Sequence, residues 1–437
     1  MSETKISSAA VRGIVSDSKF KLFHFYVIFL CFLIITGEGY NLFLYGSVLP
    51  LLTQEWSISP VQAGLIGSYG LIGMMFGSII FGYIADKIGR KKVIMLSVVL
   101  YSLFTALCGF ADGPVLFSCF RFIAGLGIGG ALPNVVALAT DYSPKALRNT
   151  LVALMLCGMQ VGGILGPVVS INTMDSFSWH AVLWMGGIPL VLLPFLYKYL
   201  PESISFLLTK GKLEQVKHIL AKIEPSYANI QEIVVEEARN EEKGQIKSLF
   251  QEGRALDTCL FWIAFFMTLL IIYGLGTWLP ELMVQAGNSL SSSLVFPIVL
   301  NVGGIIGTFV FARIADKWLR PKTMLVILYF LGALSLILLG FKYSMPVLCM
   351  VIFVTGACIY GLQNLINPFV SQFYPAHIRS TGLGLCMGIG RLGGIFGSAF
   401  WGALLQSNLS VQANFFIFAI PSVIAALAVW LVRVKRQ

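Results

Sequence analysis

Three charged side chains, Glu38, Arg121 and Arg391, stand deep inside long apolar runs of the 437-residue sequence. A charge at the centre of a membrane-spanning helix costs roughly 2.5–3.5 kcal/mol on insertion scales, so such residues face a cavity or a partner. Glu38 lies about 14 residues, or ~21 Å, into its run; Arg121 lies about 6 residues, or ~9 Å, into a run of opposite direction. Across an apolar layer ~30 Å thick these depths coincide. A Glu38–Arg121 pair is therefore open to both helices, either as a proton-coupling couple or as a static ion pair that fixes packing. In the first case a drying site favours the protonated carboxyl and a nearby guanidinium favours the carboxylate. Small rearrangements then load or release a proton.

Arg391 lies about 12 residues, or ~18 Å, into its own run, near mid-depth. A planar guanidinium suits bidentate capture of a carboxylate, and the C-terminal runs offer no obvious acidic partner. Substrate binding is the expectation, with bonds to backbone carbonyls or amides as the alternative. Asn41 and Tyr45 follow Glu38 at i+3 and i+7, on one helical face that reads as cavity lining. Asn41 could hydrogen-bond a substrate or a neighbouring helix. Gln363, Asn364 and Asn367 could orient ring hydroxyls or hold Arg391. Tyr273 and Trp278 could stack on an aromatic ring, with core packing the alternative for Trp278. His24, His180, His218 and His377 fall at run edges or in connections, and no nucleophile–base pair shares a depth. Neither catalytic residues nor an enzyme is expected, and no metal or cofactor.

The elements that position these residues follow from composition. The chain is 57% hydrophobic and 11% charged, with mean hydropathy +0.84, whereas soluble domains carry roughly 25% charged residues. There is apolar sequence for about a dozen spans of ~20 residues. The net charge of +10 then reports topology and contact with anionic lipid, not nucleic acid. Spans are expected near 22–50, 60–84, 93–112, 115–139, 148–170, 179–200, 256–280, 293–315, 322–341, 345–373, 379–405 and 411–433. All must be helices, because unpaired backbone groups cannot face lipid. The first run is too long for a signal-peptide core and reads as an uncleaved span. The eight cysteines lie in apolar stretches with no metal or disulfide spacing.

Basic residues gather in alternate connections: Lys87, Arg90, Lys91 and Lys92; Lys145 and Arg148; Arg313, Lys317, Arg320 and Lys322; Arg379; and Arg433, Lys435 and Arg436 at the end. The opposite connections offer only Lys342. Positive residues stay cytoplasmic, which puts both termini inside a cell membrane. Residues 201–255 hold nine of the twenty acidic residues and read as a soluble, largely helical linker between an N-terminal half (1–200) and a C-terminal half (256–437). The halves echo each other. Ile84-Ala85-Asp86-Lys87 returns as Ile314-Ala315-Asp316-Lys317 at an offset of 230, and Gly162-Gly163-Ile164 as Gly393-Gly394-Ile395 at 231. Pro144 and Arg148 return as Pro375 and Arg379, again at 231. Duplicated halves around a mid-depth site are a common plan of secondary transporters.

The segment from Gly82 through Asp86, Gly89 and Arg90 to Lys91 resembles the signature of the major facilitator superfamily between its second and third spans. Arg121, Gly125 and Gly127 resemble its span 4 motif. Within the superfamily the chain resembles the aromatic acid:proton symporter family, which takes up benzoate-like carboxylates. The residues concerned are Tyr45 to Pro50, Ala63 to Tyr69, Tyr273 to Pro280, Gly390-Arg391 and Pro201 to Leu207. That family has Asp-Gly-x-Asp in span 1, tied to transport. Here the residues are Glu38-Gly39-Tyr40-Asn41, so the first carboxylate is kept and the second is an amide.

The resemblance implies twelve helices in two six-helix halves and proton-coupled uptake of a small aromatic carboxylate by alternating access. The partners would be the organic anion, the proton and the lipid bilayer, with a monomer as the working unit. Asp86, Arg90, Asp316 and Arg320 read as inter-helix ion pairs whose making and breaking biases the conformational states. Gly162-x-x-x-Gly166-Pro167 is weakly similar to an exporter motif, which keeps efflux, or another organic cargo, as the rival reading.

Overall fold

The computed structural model describes residues 5–224, 232–234, 246–317, 320–375, 378–407 and 409–433. Among them are twelve helices long and apolar enough to cross a membrane, at the places expected. They are the first to sixth spans, Leu22–Glu55, Pro60–Ile88, Arg90–Cys108, Pro114–Tyr142, Arg148–Met174 and Ser176–Tyr199. The seventh to twelfth are Ala255–Gln285, Leu290–Ile314, Pro321–Leu338, Met345–Phe373, Thr381–Gln406 and Val411–Leu431. The first helix runs on through Pro50 to Glu55, and the seventh through Pro280 to Gln285. Proline ends helices in water, but in a bundle neighbours satisfy the freed carbonyls. The seventh helix consequently takes in Glu281, an acid that the shorter expected span left outside; it accepts a hydrogen bond from Gln285 at 3.1 Å. All eight cysteines are free.

Residues 201–255 are less helical than expected where described. They hold helices Ile204–Thr209 and Leu213–Ile223, the three-residue strand Glu232–Val234 and a 3-10 turn at Ile246–Phe250. The strand pairs in parallel with Lys5–Ser7. An N-terminal helix, Ser8–Asp17, buries Val11 and Val15 in the same core as Val216, Leu220 and Ile223. Lys21 and Glu224 close this layer with an ion pair of 2.7 Å.

Glycine seams set the bundle. A Cβ at Gly73 or Gly77 of the second helix would overlap the carbonyls of Phe122 and Leu126 in the fourth. One at Gly125 or Gly129 would overlap those of Gly70 and Met74. The eighth and tenth helices repeat the seam, Gly303 against Phe353 and Gly356 against Leu300. The first and fifth helices meet at Gly39 and Gly162, the seventh and eleventh at Gly393. Small residues let backbones approach, which drives association where lipid removes the hydrophobic incentive. The duplicated turns agree in detail: Arg148 donates to the Ser143 carbonyl and Arg379 to the Tyr374 carbonyl, both at 3.4 Å.

Contacts joining the halves gather at mid-depth and toward the end of the bundle opposite the basic turns. There Ser68 donates to the Ile395 carbonyl at 2.7 Å and Ser398 to the Gly64 carbonyl at 3.1 Å. Trp278, buried, donates to the Ser398 carbonyl at 2.9 Å, so it packs the clasp. Toward the basic end, Gly82, Gly384 and Gly388 have nothing within 4 Å of an added Cβ.

The basic end departs from expectation in its pairing. Arg90 bonds Asp141 at 2.8 Å and Ser203 at 3.0 Å, not Asp86. Glu202 accepts from the backbone N–H groups of Arg90 (2.8 Å) and Lys91 (3.1 Å), capping the third helix, where a carboxylate is favoured by the helix dipole. Asp86 and Arg320 are exposed and make no ion pair among the described residues. The side chain of Asp316 lies outside the described residues. The physical reason is placement: Asp86 closes its helix on the outer face, whereas Asp141 ends the fourth helix beside Arg90.

Two outcomes follow. Gly129→Leu overpacks the seam and costs about 1–3 kcal/mol, lowering the midpoint in a heat-challenge size-exclusion assay, while Gly82→Ala leaves it unchanged. Arg90→Ala loses charge-assisted bonds worth about 1–2 kcal/mol, and Asp86→Ala, in the same assay, loses nothing.

Candidate functional site

Glu38 is fully enclosed, flanked by two glycines that bring neighbours close. A Cβ at Gly39 would overlap the Met159 carbonyl of the fifth helix, and one at Gly37 would lie 3.0 Å from the Tyr101 hydroxyl. Neither carboxylate oxygen has a hydrogen-bond partner among the described residues. The charge within electrostatic reach is Arg391, from the eleventh helix of the other half. Tyr273 of the seventh helix is within electrostatic reach of both Glu38 and Arg391. Its hydroxyl points to Met74 Sδ of the second helix at 3.8 Å, across the seam between the halves. Arg391 is half-buried and makes no hydrogen bond or ion pair among the described residues. One carboxylate, one guanidinium and one phenol therefore come within electrostatic reach of one another, the first two without a hydrogen bond among the described residues.

The expected Glu38–Arg121 ion pair does not form. Arg121 donates Nη1 to the main-chain oxygen of Asn41 at 3.2 Å, and its guanidinium lies 4.9 Å from the centre of the Tyr45 ring. Equal depth was not enough, because the guanidinium is engaged by the Asn41 carbonyl and the Tyr45 ring. Tyr45 is committed as well, donating to the Ala63 carbonyl at 2.6 Å. Asn41 spends its amide N–H groups on the carbonyls of Gly37 (2.8 Å) and Gly186 (3.5 Å). It is buried in the N-terminal half rather than open to the seam, the interhelical alternative. Asn364 donates to Thr308 at 2.9 Å, tying the tenth helix to the eighth. Asn367 Oδ1 and Gln363 Oε1 are enclosed without a partner, and none of the three amides bonds Arg391.

Four residues escaped the sequence reading: Tyr101 beside Glu38, Met74 at the Tyr273 hydroxyl, and the pair Phe43–Tyr360. Those two rings sit 6.2 Å apart, one from each half, where Gly276 leaves Phe43 room at 2.9 Å from an added Cβ. The signal for Tyr101 was present in Gly37 and Gly39, since glycines either side of a buried acid announce close neighbours. An apolar thioether and a ring within apolar runs carry no such mark.

Gly162 of the exporter-like segment abuts the backbone of the first helix at Thr36 and Tyr40, so it serves packing here. The Major Facilitator Superfamily model matches residues 29–385 and, again, 302–437. The chain is 44% identical to the benzoate transport protein of Acinetobacter baylyi, over 98% of this chain and 93% of that one. It is 32% identical to the gallate transporter of Pseudomonas putida, over 96% and 94%. The inward open xylose transporter XylE from E. coli shares the fold, with a TM-score of 0.76 at 19% identity over 95% of this chain and 97% of that one. These proteins are transporters and not enzymes, and so is this chain. The chain belongs to the Major Facilitator Superfamily and, within it, to the aromatic acid transporter family.

Proposed function

We propose that the chain imports a small aromatic monocarboxylate of the benzoate type together with a proton, by alternating access. The observation that carries this reading is the approach of Glu38, Tyr273 and Arg391 from opposite halves, with Glu38 and Arg391 free of hydrogen bonds among the described residues. Arg391 takes the substrate carboxylate, a charge-assisted pairing. An ionised Glu38 competes for the same guanidinium, and its protonation releases Arg391 to the substrate. Phe43, Tyr273 and Tyr360 supply ring faces near that carboxylate. Asn364 and Asn367 line the C-terminal side and orient ring substituents. The related benzoate and gallate carriers support this cargo class. One proton with one monocarboxylate moves no net charge, so an interior-negative potential does not oppose entry.

The basic turns mark the cytoplasmic side, with both termini there and the monomer as the working unit in the cell membrane. The three parts remain 1–200, 201–255 and 256–437. With that orientation the closed clasp is extracellular and the conformation faces inward. Arg121, held on Asn41 and Tyr45, supports the coupling acid indirectly. Arg90 acts through Asp141, while Asp86, Asp316 and Arg320 engage as the basic end closes.

The test is uptake of labelled benzoate and 4-hydroxybenzoate by cells expressing the chain. Wild type accumulates label, and a protonophore abolishes the accumulation. Glu38→Gln loses accumulation but keeps exchange of internal for external label. Arg391→Ala raises KM by about 10–100-fold, the worth of one charge-assisted bond. Absence of saturable uptake of either acid, in protein shown to reach the membrane, rejects these cargoes; faster efflux from preloaded cells reverses the direction.

A further inference from the structure

The N-terminal half buries polar atoms for which the protein supplies no hydrogen-bond partner. Both oxygens of Glu38, Asn41 Oδ1, Thr105 Oγ1 and Arg121 Nε are in this condition, Ser102 Oγ has the neighbouring Tyr101 hydroxyl beside it, and all five residues are buried. Folded proteins leave few such groups, and a buried one without a protein partner is ordinarily met by ordered water.

These groups are not scattered. Glu38 and Asn41 stand one turn apart on the first helix, as Tyr101 and Thr105 do on the third. Tyr101 is within electrostatic reach of Glu38. A Cβ at Gly186 would lie 2.6 Å from Thr105 Cγ2 and 2.7 Å from Asn41 Oδ1, so those two side chains meet at one point. Arg121 reaches the next part of the line through its bond to the Asn41 carbonyl. Glu38, the Asn41–Thr105 meeting point and Arg121 thus follow one another within the half, away from the seam that receives substrate.

We propose that this line is a buried hydration site, holding about two or three waters, that solvates the Glu38 carboxylate from inside the N-terminal half. The inference rests on the reading of Glu38 as the proton carrier. When Glu38 gives its proton to a water at the seam, the carboxylate left behind accepts hydrogen bonds from the buried waters, donated in turn to Asn41 and the two hydroxyls. No further reactant is consumed. Arg121 stands at the other end of the line, and its fixed positive charge repels a hydronium there, as an arginine in a water pore does. Protons therefore exchange with the seam and do not leak through the half. The titratable or charged groups facing Glu38 are Tyr101 on the third helix, Tyr273 on the seventh and Arg391 on the eleventh. Tyr45 and Cys108 accompany Arg121, and the fifth helix brings the Met159 backbone against Gly39 and Gly162 against Thr36 and Tyr40, with the uncharged Gln160 between them.

The test is infrared difference titration of the full chain in liposomes, with the Glu38 carboxyl band assigned by its loss in Glu38→Gln. In Ser102→Ala/Thr105→Val the midpoint of that band moves about one unit to higher pH, the scale of one lost hydrogen bond to the carboxylate. Ser102→Ala/Thr105→Ser restores part of the shift. In transport, the double variant loses about tenfold in proton-driven benzoate accumulation and keeps exchange. An unmoved midpoint in a folded double variant overturns the hydration site. So does a serine variant shifted as far as the valine one, because packing would then be the cause. The band reads Glu38 without any cargo, so a failure of benzoate uptake with the midpoint shifted as expected counts against the cargo alone. Absence of a band lost in Glu38→Gln at any pH overturns Glu38 as a proton carrier, and the inference with it.

Discussion

A charge taken into an apolar layer must be given back some of the solvation that it lost. That requirement organises this bundle more than any other. Glu38 and Arg391 are brought from separate halves within electrostatic reach, where Arg391 compensates Glu38, Tyr273 and Glu38 together compensate Arg391, and neither charge is bonded away among the described residues. The glycines that flank Glu38 admit the fifth helix and Tyr101, which narrows the space around the acid. The clasp of Ser68, Ser398 and Trp278 keeps one side of the seam shut. A transporter needs its charges compensated but not satisfied, since a fully bonded pair would have nothing left for substrate or proton.

The two halves repeat a frame without repeating its chemistry. The seam of the second and fourth helices returns in the eighth and tenth, and the arginine-to-carbonyl turn returns at Arg379. Yet the position of Arg391, moved back by 231, holds Gln160, and that of Glu38, moved forward by 231, holds Leu269. The Arg90 partner Asp141 likewise has Gln372 as its counterpart in the other half. Symmetric packing lets the halves rock on a shared seam. Asymmetric charge lets the movement discriminate, because opposite charges on opposite halves attract across the seam only while both are ionised.

Most of the fold was legible. Hydropathy located twelve helices, and their edges moved by a few residues, except where the first and seventh helices run on through Pro50 and Pro280. The linker was less legible, since a charged sequence states that a segment is wet and not which local structure it takes. Of the candidate site, Glu38, Tyr273 and Arg391 do converge. Arg121, Asn41 and Tyr45 form a separate polar group within the N-terminal half. Tyr101 was signalled only by the glycines beside Glu38; Met74, Phe43 and Tyr360 could not be picked out, because rings and thioethers in apolar helices look alike until their neighbours are known.

By itself the sequence determined how many helices cross, where each begins, that the halves are duplicates and how deep each charge lies. These properties run along one dimension, the helix axis, and a rise of 1.5 Å per residue converts position into depth. The tertiary structure alone decided which partner each charge meets. Partnership depends on rotation about the axis and on which backbone can approach, so two groups at one depth can still turn away from each other. Arg121 bonds the Asn41 carbonyl instead of Glu38, and Arg391, from the far end of the chain, takes the place that depth alone had assigned to Arg121.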